Sequence, residues 1–259
     1  TVGDPFRVEK VSKRFDQILY KTQHREFITH TGRIGNKTVS VISTGIGPDN
    51  IDIVINELDA LVNIDLHTRE IKSQLTPLKL VRIGTSGSLQ ADIPVDSFVC
   101  SSYGLGLDGL LNFYELQNEG LEKEIIEAFR THLPNKGIFP ESYLAKSSDM
   151  MFDLLSPGMH TGITASCSGF YAPQVRQLRL KPSRHDLIEK LTSFDYQGHK
   201  VTNFEMETGA MFGLAKLLGH HCSAVNVIVA NRITQEFSKK YEETMHSLIQ
   251  LTLDRLSTL

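Results

Sequence analysis

Four short stretches of this 259-residue chain carry side chains whose types and spacing could do chemistry. In NFEMETG, residues 203–209, two carboxylates stand one residue apart among apolar neighbours. On a strand, Glu205 and Glu207 would share one face, because strand side chains alternate with a period of two. At a strand-to-helix corner such a pair can accept hydrogen bonds from the vicinal hydroxyls of a ribose, as carboxylates do in other α/β folds. Two alternatives stand beside that reading. One is a carboxylate capping the helix start, plus a surface acid. The other is the acid/base pair of a glycosidase, although positions two apart on one strand are nearer neighbours than that chemistry uses.

The second and third stretches are GDPFR (3–7) and RIGTSG (82–87). Each sets an arginine beside glycines, and glycine lets backbone N–H groups approach an anion closely. Arg7 and Arg82 can fork onto the oxygens of a phosphate, and Thr85 adds a hydroxyl. Turn chemistry and a solvated arginine would explain either stretch taken singly. The fourth is FYAPQVRQLR (170–179). Phe170 offers a flat face, Gln174 both a donor and an acceptor, and Arg176 further donors; together they suit the imide edge of a pyrimidine. An amphipathic segment with a core phenylalanine is the alternative.

The elements that must position these residues follow from periodicity. Strands are expected at 38–44, 78–84, 96–102, 162–168 and 223–231, and helices at 50–63, 120–133, 183–195, 207–219 and 241–256. Asp49 or Asn50 is the expected cap of the first helix, and Gly219 the stop of the fourth. Strands separated by helices, several of them continuously apolar, predict an α/β layered fold with a largely buried sheet. In such folds ligands bind outside the carboxyl ends of strands, where the four stretches fall. Residues 1–259 are expected to form a single domain. The chain opens on TVGDP without a methionine, so an N-terminal extension is expected to precede it.

Composition narrows the function classes. The chain is 40% hydrophobic and 22% charged, with a net charge of −3, so no nucleic-acid or membrane partner is expected. No signal peptide or spanning run of apolar residues occurs, and three dispersed cysteines suit a reducing compartment. A cytoplasmic location is the default expectation. No GxxxxGK[ST] or HExxH pattern is present, which argues against P-loop and zinc-protease sites.

Taken in order, GDPFRVEKV, HREF, STGIG, RIGTSGSL, FYAPQVR, NFEMET and VIVANR resemble the uridine phosphorylase branch of the nucleoside phosphorylase family. The resemblance runs through nearly the whole chain. It implies a mixed central sheet curled into a distorted barrel flanked by helices, assembled as a homodimer or hexamer. It implies a pentosyltransferase that cleaves uridine, with deoxyuridine or thymidine as secondary substrates. Phosphate is the co-substrate and no other cofactor is required. Gly3, Arg7, Arg82 and Thr85 match phosphate-binding positions, and Arg25 matches an arginine lent to a neighbouring subunit's phosphate. Glu205, Met206 and Glu207 fall at the ribose, and Phe170, Gln174 and Arg176 at the base. Arg232 matches a residue on a flap over the base, and Arg82, Gln174, Arg176 and Arg232 take the catalytic positions.

Purine-specific relatives carry an acid where this chain reads Val229, Ala230 and Asn231, so the resemblance favours a pyrimidine. A purine nucleoside phosphorylase or a nucleosidase of the same fold is the alternative. The family's ribose-contacting histidine lies in the N-terminal extension, and no residue here matches it. Glu26, Ile46 and Asn50 match a potassium site at the dimer interface, with Asn50 where some bacterial members have serine.

Overall fold

The computed structural model describes residues 1–259 except 136, 138 and 139. Its helices are α1 (Pro5–Ser12), α2 (Pro48–Asn63), α3 (Gly120–His132), α4 (Asp149–Leu155), α5 (Leu187–Ser193), α6 (Thr208–Leu217) and α7 (Tyr241–Ser257). The first strands are β1 (Gln17–His24), β2 (Phe27–Ile34), β3 (Lys37–Ile42), β4 (Ile64–Asp65), β5 (Glu70–Ile71), β6 (Lys79–Ser88) and β7 (Phe98–Gly106). They are followed by β8 (Tyr143–Lys146), β9 (His160–Ser166), β10 (Asp195–Tyr196), β11 (His199–Glu205), β12 (His221–Asn231) and β13 (Glu236–Phe237).

Five of these strands close on themselves. β12 runs parallel to β6, β6 antiparallel to β11, and β11 parallel to β9. β9 runs parallel to β7, and β7 returns antiparallel to β12, completing a mixed barrel. β8, β10 and β13 extend its rim, while β1, β2 and β3 form a separate antiparallel sheet. The expected curled sheet flanked by helices is the architecture found.

Alternation along β6 and β12 explains both faces of the wall. Val81, Ile83, Val225 and Val227 point outward into an apolar cluster with Met245, Leu248 and Ile249 of α7. Arg82, Gly84, Ser86, Ser88 and Asn226 therefore point inward. The barrel interior is polar and largely hydrogen-bonded. Asn203 donates to Ser86 at 2.9 Å and accepts from Thr164 at 2.9 Å, and Thr164 meets Ser101 at 2.6 Å. α6 is buried along most of its length and packs backbone to backbone on β7. A Cβ on Gly104 would lie 2.7 Å from the Cα of Gly209, so only glycine allows that approach.

Several expected boundaries shift. β6 continues through Thr85, Ser86 and Gly87, where a small-residue turn was expected, because the parallel β12 pairs with it up to Ser88. α2 begins at Pro48 behind Gly47 (φ 99°), rather than behind Asp49 or Asn50, since proline fits the first helical position. Arg7 sits inside α1, capped by Asp4, so GDPFR is a helix start and more than turn chemistry. α5 is only Leu187–Ser193, shorter than the 183–195 periodicity suggests. Gly219 does follow the end of α6 with a positive φ of 75°. Among the described residues no helix is long and apolar enough to cross a membrane.

Candidate active site

A cavity of about 770 Å³ opens at the carboxyl end of β6 and β11. Four elements bring its walls together. The turn into α1 supplies Gly3 and Arg7, β6 supplies Arg82 and Thr85, the corner between β11 and α6 supplies Glu205, Met206 and Glu207, and the loop after β9 supplies Phe170, Gln174 and Arg176. Stretches nearly 200 residues apart thus share one space, although each was ambiguous by itself.

Glu205 and Glu207 are not on one strand face. β11 ends at Glu205, and Glu207 is the N-cap position just ahead of α6. Their side chains nevertheless converge on Arg82. Its Nε lies 3.5 Å from Glu205 Oε2, and its Nη2 donates to Glu207 Oε2. All three side chains are buried.

Glu205 is consumed by the fold. Its carboxylate accepts the backbone N–H groups of Glu207 (3.0 Å) and Thr208 (3.0 Å), and the Ser166 hydroxyl at 2.5 Å. It is the capping carboxylate of α6, placed two residues ahead of the usual position. Glu207 accepts the N–H of Gly47 at 2.9 Å with Oε1 and turns its other oxygen to Arg82.

Burial separates the two acids electrostatically. It pushes Glu205 up to about 7, against the pull of Arg82 and with the push of the Glu207 charge. Burial also pushes Glu207 upward, but the Arg82 guanidinium and the Gly47 N–H outweigh it and hold Glu207 below its ordinary value. Arg82 is itself held above its ordinary value: burial opposes its charge, but the two carboxylates outweigh that penalty.

The remaining walls are similarly built. Arg7 donates to the Ile83 carbonyl at 3.1 Å and to the Tyr241 hydroxyl at 2.9 Å, which pins it between β6 and α7. Arg176 lies over the Phe170 ring, 3.9 Å from its centroid, and donates to Gln174 Oε1 at 2.5 Å. Burial, with Arg232 nearby, brings Arg176 down to about 10. The lining combines arginines suited to an anion, buried carboxylates, and an aromatic ring with an amide suited to a flat heterocycle.

Residues 1–256 match the family model described as the phosphorylase superfamily. This chain belongs to the phosphorylase superfamily. Within it, the chain is 30% identical over 241 residues to a uridine phosphorylase of Thermococcus kodakarensis, covering 93% of this chain and 75% of that one. It is 28% identical over 242 residues to the Escherichia coli uridine phosphorylase, covering 90% and 80%. A solved nucleoside phosphorylase of Trypanosoma brucei, described as showing uridine phosphorylase activity, superposes with a TM-score of 0.89 at 26% identity, over 100% of this chain and 92% of that one. A DeoD-type purine nucleoside phosphorylase of Listeria monocytogenes is 25% identical over 255 residues, covering 97% and 90%.

Two residues expected at the site of this phosphorylase-superfamily chain do not line the cavity. Arg25 is exposed in the turn between β1 and β2, with a positive φ of 53°. Arg232 donates to the Gln174 carbonyl at 3.1 Å. Conversely, Ser86, Gly87, Phe204, Val229, Ala230 and Phe237 line the cavity without having been singled out as site residues. The RIGTSG stretch signalled the first two, once it is seen as strand. The others are apolar residues whose place only the barrel decides.

The residues matching a potassium site do lie together, around Gly45. A Cβ there would sit 2.4 Å from Asn50 Nδ2 and 3.2 Å from Glu26 Cγ. The Asn50 amide donates toward the Ile46 carbonyl at 3.4 Å. Among the described residues there is no group of three or more His, Cys, Asp or Glu that could hold a metal ion.

Proposed function

We propose that residues 1–259 act as one domain catalysing phosphate-dependent cleavage of the N-glycosidic bond of uridine, giving uracil and ribose 1-phosphate. The observation that carries this reading is that one cavity is lined by Arg7 and Arg82, by Glu207, and by Phe170, Gln174 and Arg176. The similarity to uridine phosphorylases over more than nine-tenths of the chain supports the same activity.

In this reading Arg7, Arg82, Gly3 and Thr85 hold phosphate, and Arg25 of a neighbouring copy in a homo-oligomer completes the set. Met206 and Glu207 contact the ribose, with Glu205 in the same wall fixing the corner. Phe170, Gln174 and Arg176 hold the base, and Arg232 supports them. A phosphate oxygen bonds to C1′ as the C1′–N1 bond breaks, and that bond's electron pair leaves with uracil. Gln174 and Arg176 stabilise the charge on the departing base, which solvent then protonates. Glu207 favours the positive charge that develops on the sugar, and the arginines orient the nucleophile.

A pyrimidine is favoured over a purine by Asn231, the one polar residue of the Val229–Asn231 segment. Its amide donates to the Gln90 and Ile93 carbonyls and accepts from the N–H groups of Ile233 and Thr234, so it is spent on the loop. Incubation with uridine, with and without phosphate, tests the proposal. Uracil and ribose 1-phosphate should form only with phosphate. Free ribose in both buffers would mean a hydrolase, and turnover of inosine alone would mean a purine enzyme.

A further inference from the structure

Asn226 lies inside the barrel on β12, completely buried, in a run of otherwise apolar or small residues. Neither its Oδ1 nor its Nδ2 has a hydrogen-bond partner. Buried polar groups are nearly always paired, so an orphaned amide in a barrel wall calls for a reason. The same is true of one atom of Arg82. Its Nε and Nη2 face the two glutamates, while Nη1 is buried without a partner.

The two orphans crowd the same point. Asn226 is in register with Gly84 on the neighbouring strand, and Arg82 lies two residues earlier on that strand, on the same face. A Cβ on Gly84 would sit 2.0 Å from Arg82 Nη1 and 2.5 Å from Asn226 Oδ1. The missing side chain of Gly84 is thus the space in which a guanidinium donor and an amide acceptor meet. The χ2 torsion of asparagine is broad, so a small rotation is enough to align the acceptor with the donor.

We propose that Asn226 is a positioning residue for Arg82, anchoring Nη1 from inside the barrel so that the guanidinium keeps its plane when its outer edge turns from Glu207 to phosphate. Asn226 does not line the cavity and touches no substrate, so it acts only through Arg82. A guanidinium held by carboxylates alone would have no fixed plane once an anion competes for Nη2. A neutral acceptor fixes that plane without adding negative charge that would repel phosphate.

The inference rests on the phosphorolysis proposed above, and its test separates the two. Phosphate is varied at saturating uridine, then uridine at saturating phosphate, for wild type, Asn226→Leu and Asn226→Ser. Leucine keeps the volume without an acceptor; serine is too short to reach and serves if the leucine variant does not fold. The expected result is a KM for phosphate about tenfold higher, the size of one lost hydrogen bond to a charged group, with the KM for uridine unchanged. If the KM for phosphate is unchanged in a folded variant, the inference is overturned. A raised Tm in Asn226→Leu would then identify Asn226 as a merely tolerated buried amide. Uracil release by wild type without phosphate would overturn the reading beneath it as well.

Discussion

Arg82 shares its guanidinium between two buried glutamates, so its charge and its forked geometry can be separated by mutation. Arg82→Lys keeps the charge but loses the fork. The expected outcome is a fall in kcat/KM of about 100-fold or more with phosphate as co-substrate, while the Tm changes little. An equal loss of both would instead make Arg82 chiefly a structural ion. Glu205 adds a pH dependence. Its carboxyl is held at about 7 against an ordinary 4.5, so between those values the native state keeps a proton that the unfolded chain releases. The linked stability is complete below the unfolded value and is lost as pH rises through about 7. It amounts to about 3 kcal/mol at most. Glu207, held below its ordinary value, acts in the opposite sense: its contribution is present at neutral pH and is lost only in acid. Urea unfolding of wild type and Glu205→Gln from pH 5 to pH 8 measures the difference directly. Wild type should lose stability relative to the variant as pH rises, and a constant difference would show that Glu205 stays ionised throughout.

At the scale of elements, the site depends on where α6 starts. The first helical turn is held by Glu205 from β11, by Ser166 from β9, whose hydroxyl accepts the Gly209 N–H at 2.9 Å, and by the glycine contact with β7. Gly104→Ala inserts a methyl group where the backbones touch. It should cost about 1–3 kcal/mol, as overpacking does. Because the displaced helix carries Glu207, activity measured well below the Tm should fall as well. Unchanged activity would show that the corner adjusts independently of β7. This dependence also explains what the sequence concealed. The helix start at the end of NFEMETG is legible from the small and apolar residues that follow, but which acid caps it is not. Glu205 can reach back to the helix start only because β11 ends there, in parallel register with β9.

At the scale of the whole molecule, the expectation that Arg25 serves another copy fits its exposed place on the hairpin of the separate sheet, beside Glu26 at the cavity edge. If so, Arg25→Ala and Glu207→Ala should each be nearly inactive alone, and mixed after dissociation and reassociation they should recover activity, because some sites then have both residues. Failure to recover, with mixed oligomers shown to form, would place Arg25 outside the site.

The sequence by itself determined the α/β class, most of the helices and central strands, and the four stretches that carry chemistry, because periodicity and local residue chemistry are short-range properties. It also placed Arg82 near Thr85 and Gln174 near Arg176, since neighbours in sequence stay neighbours in space. Only the tertiary structure decided the rest. Closure of β7 onto β12 made a barrel with a polar interior, kept β6 extended through its glycines, and faced Asn226 toward Arg82 across Gly84. It also divided the labour of the two glutamates, one capping a helix and one facing the cavity. Such outcomes depend on register between strands more than a hundred residues apart, and no local pattern encodes that register.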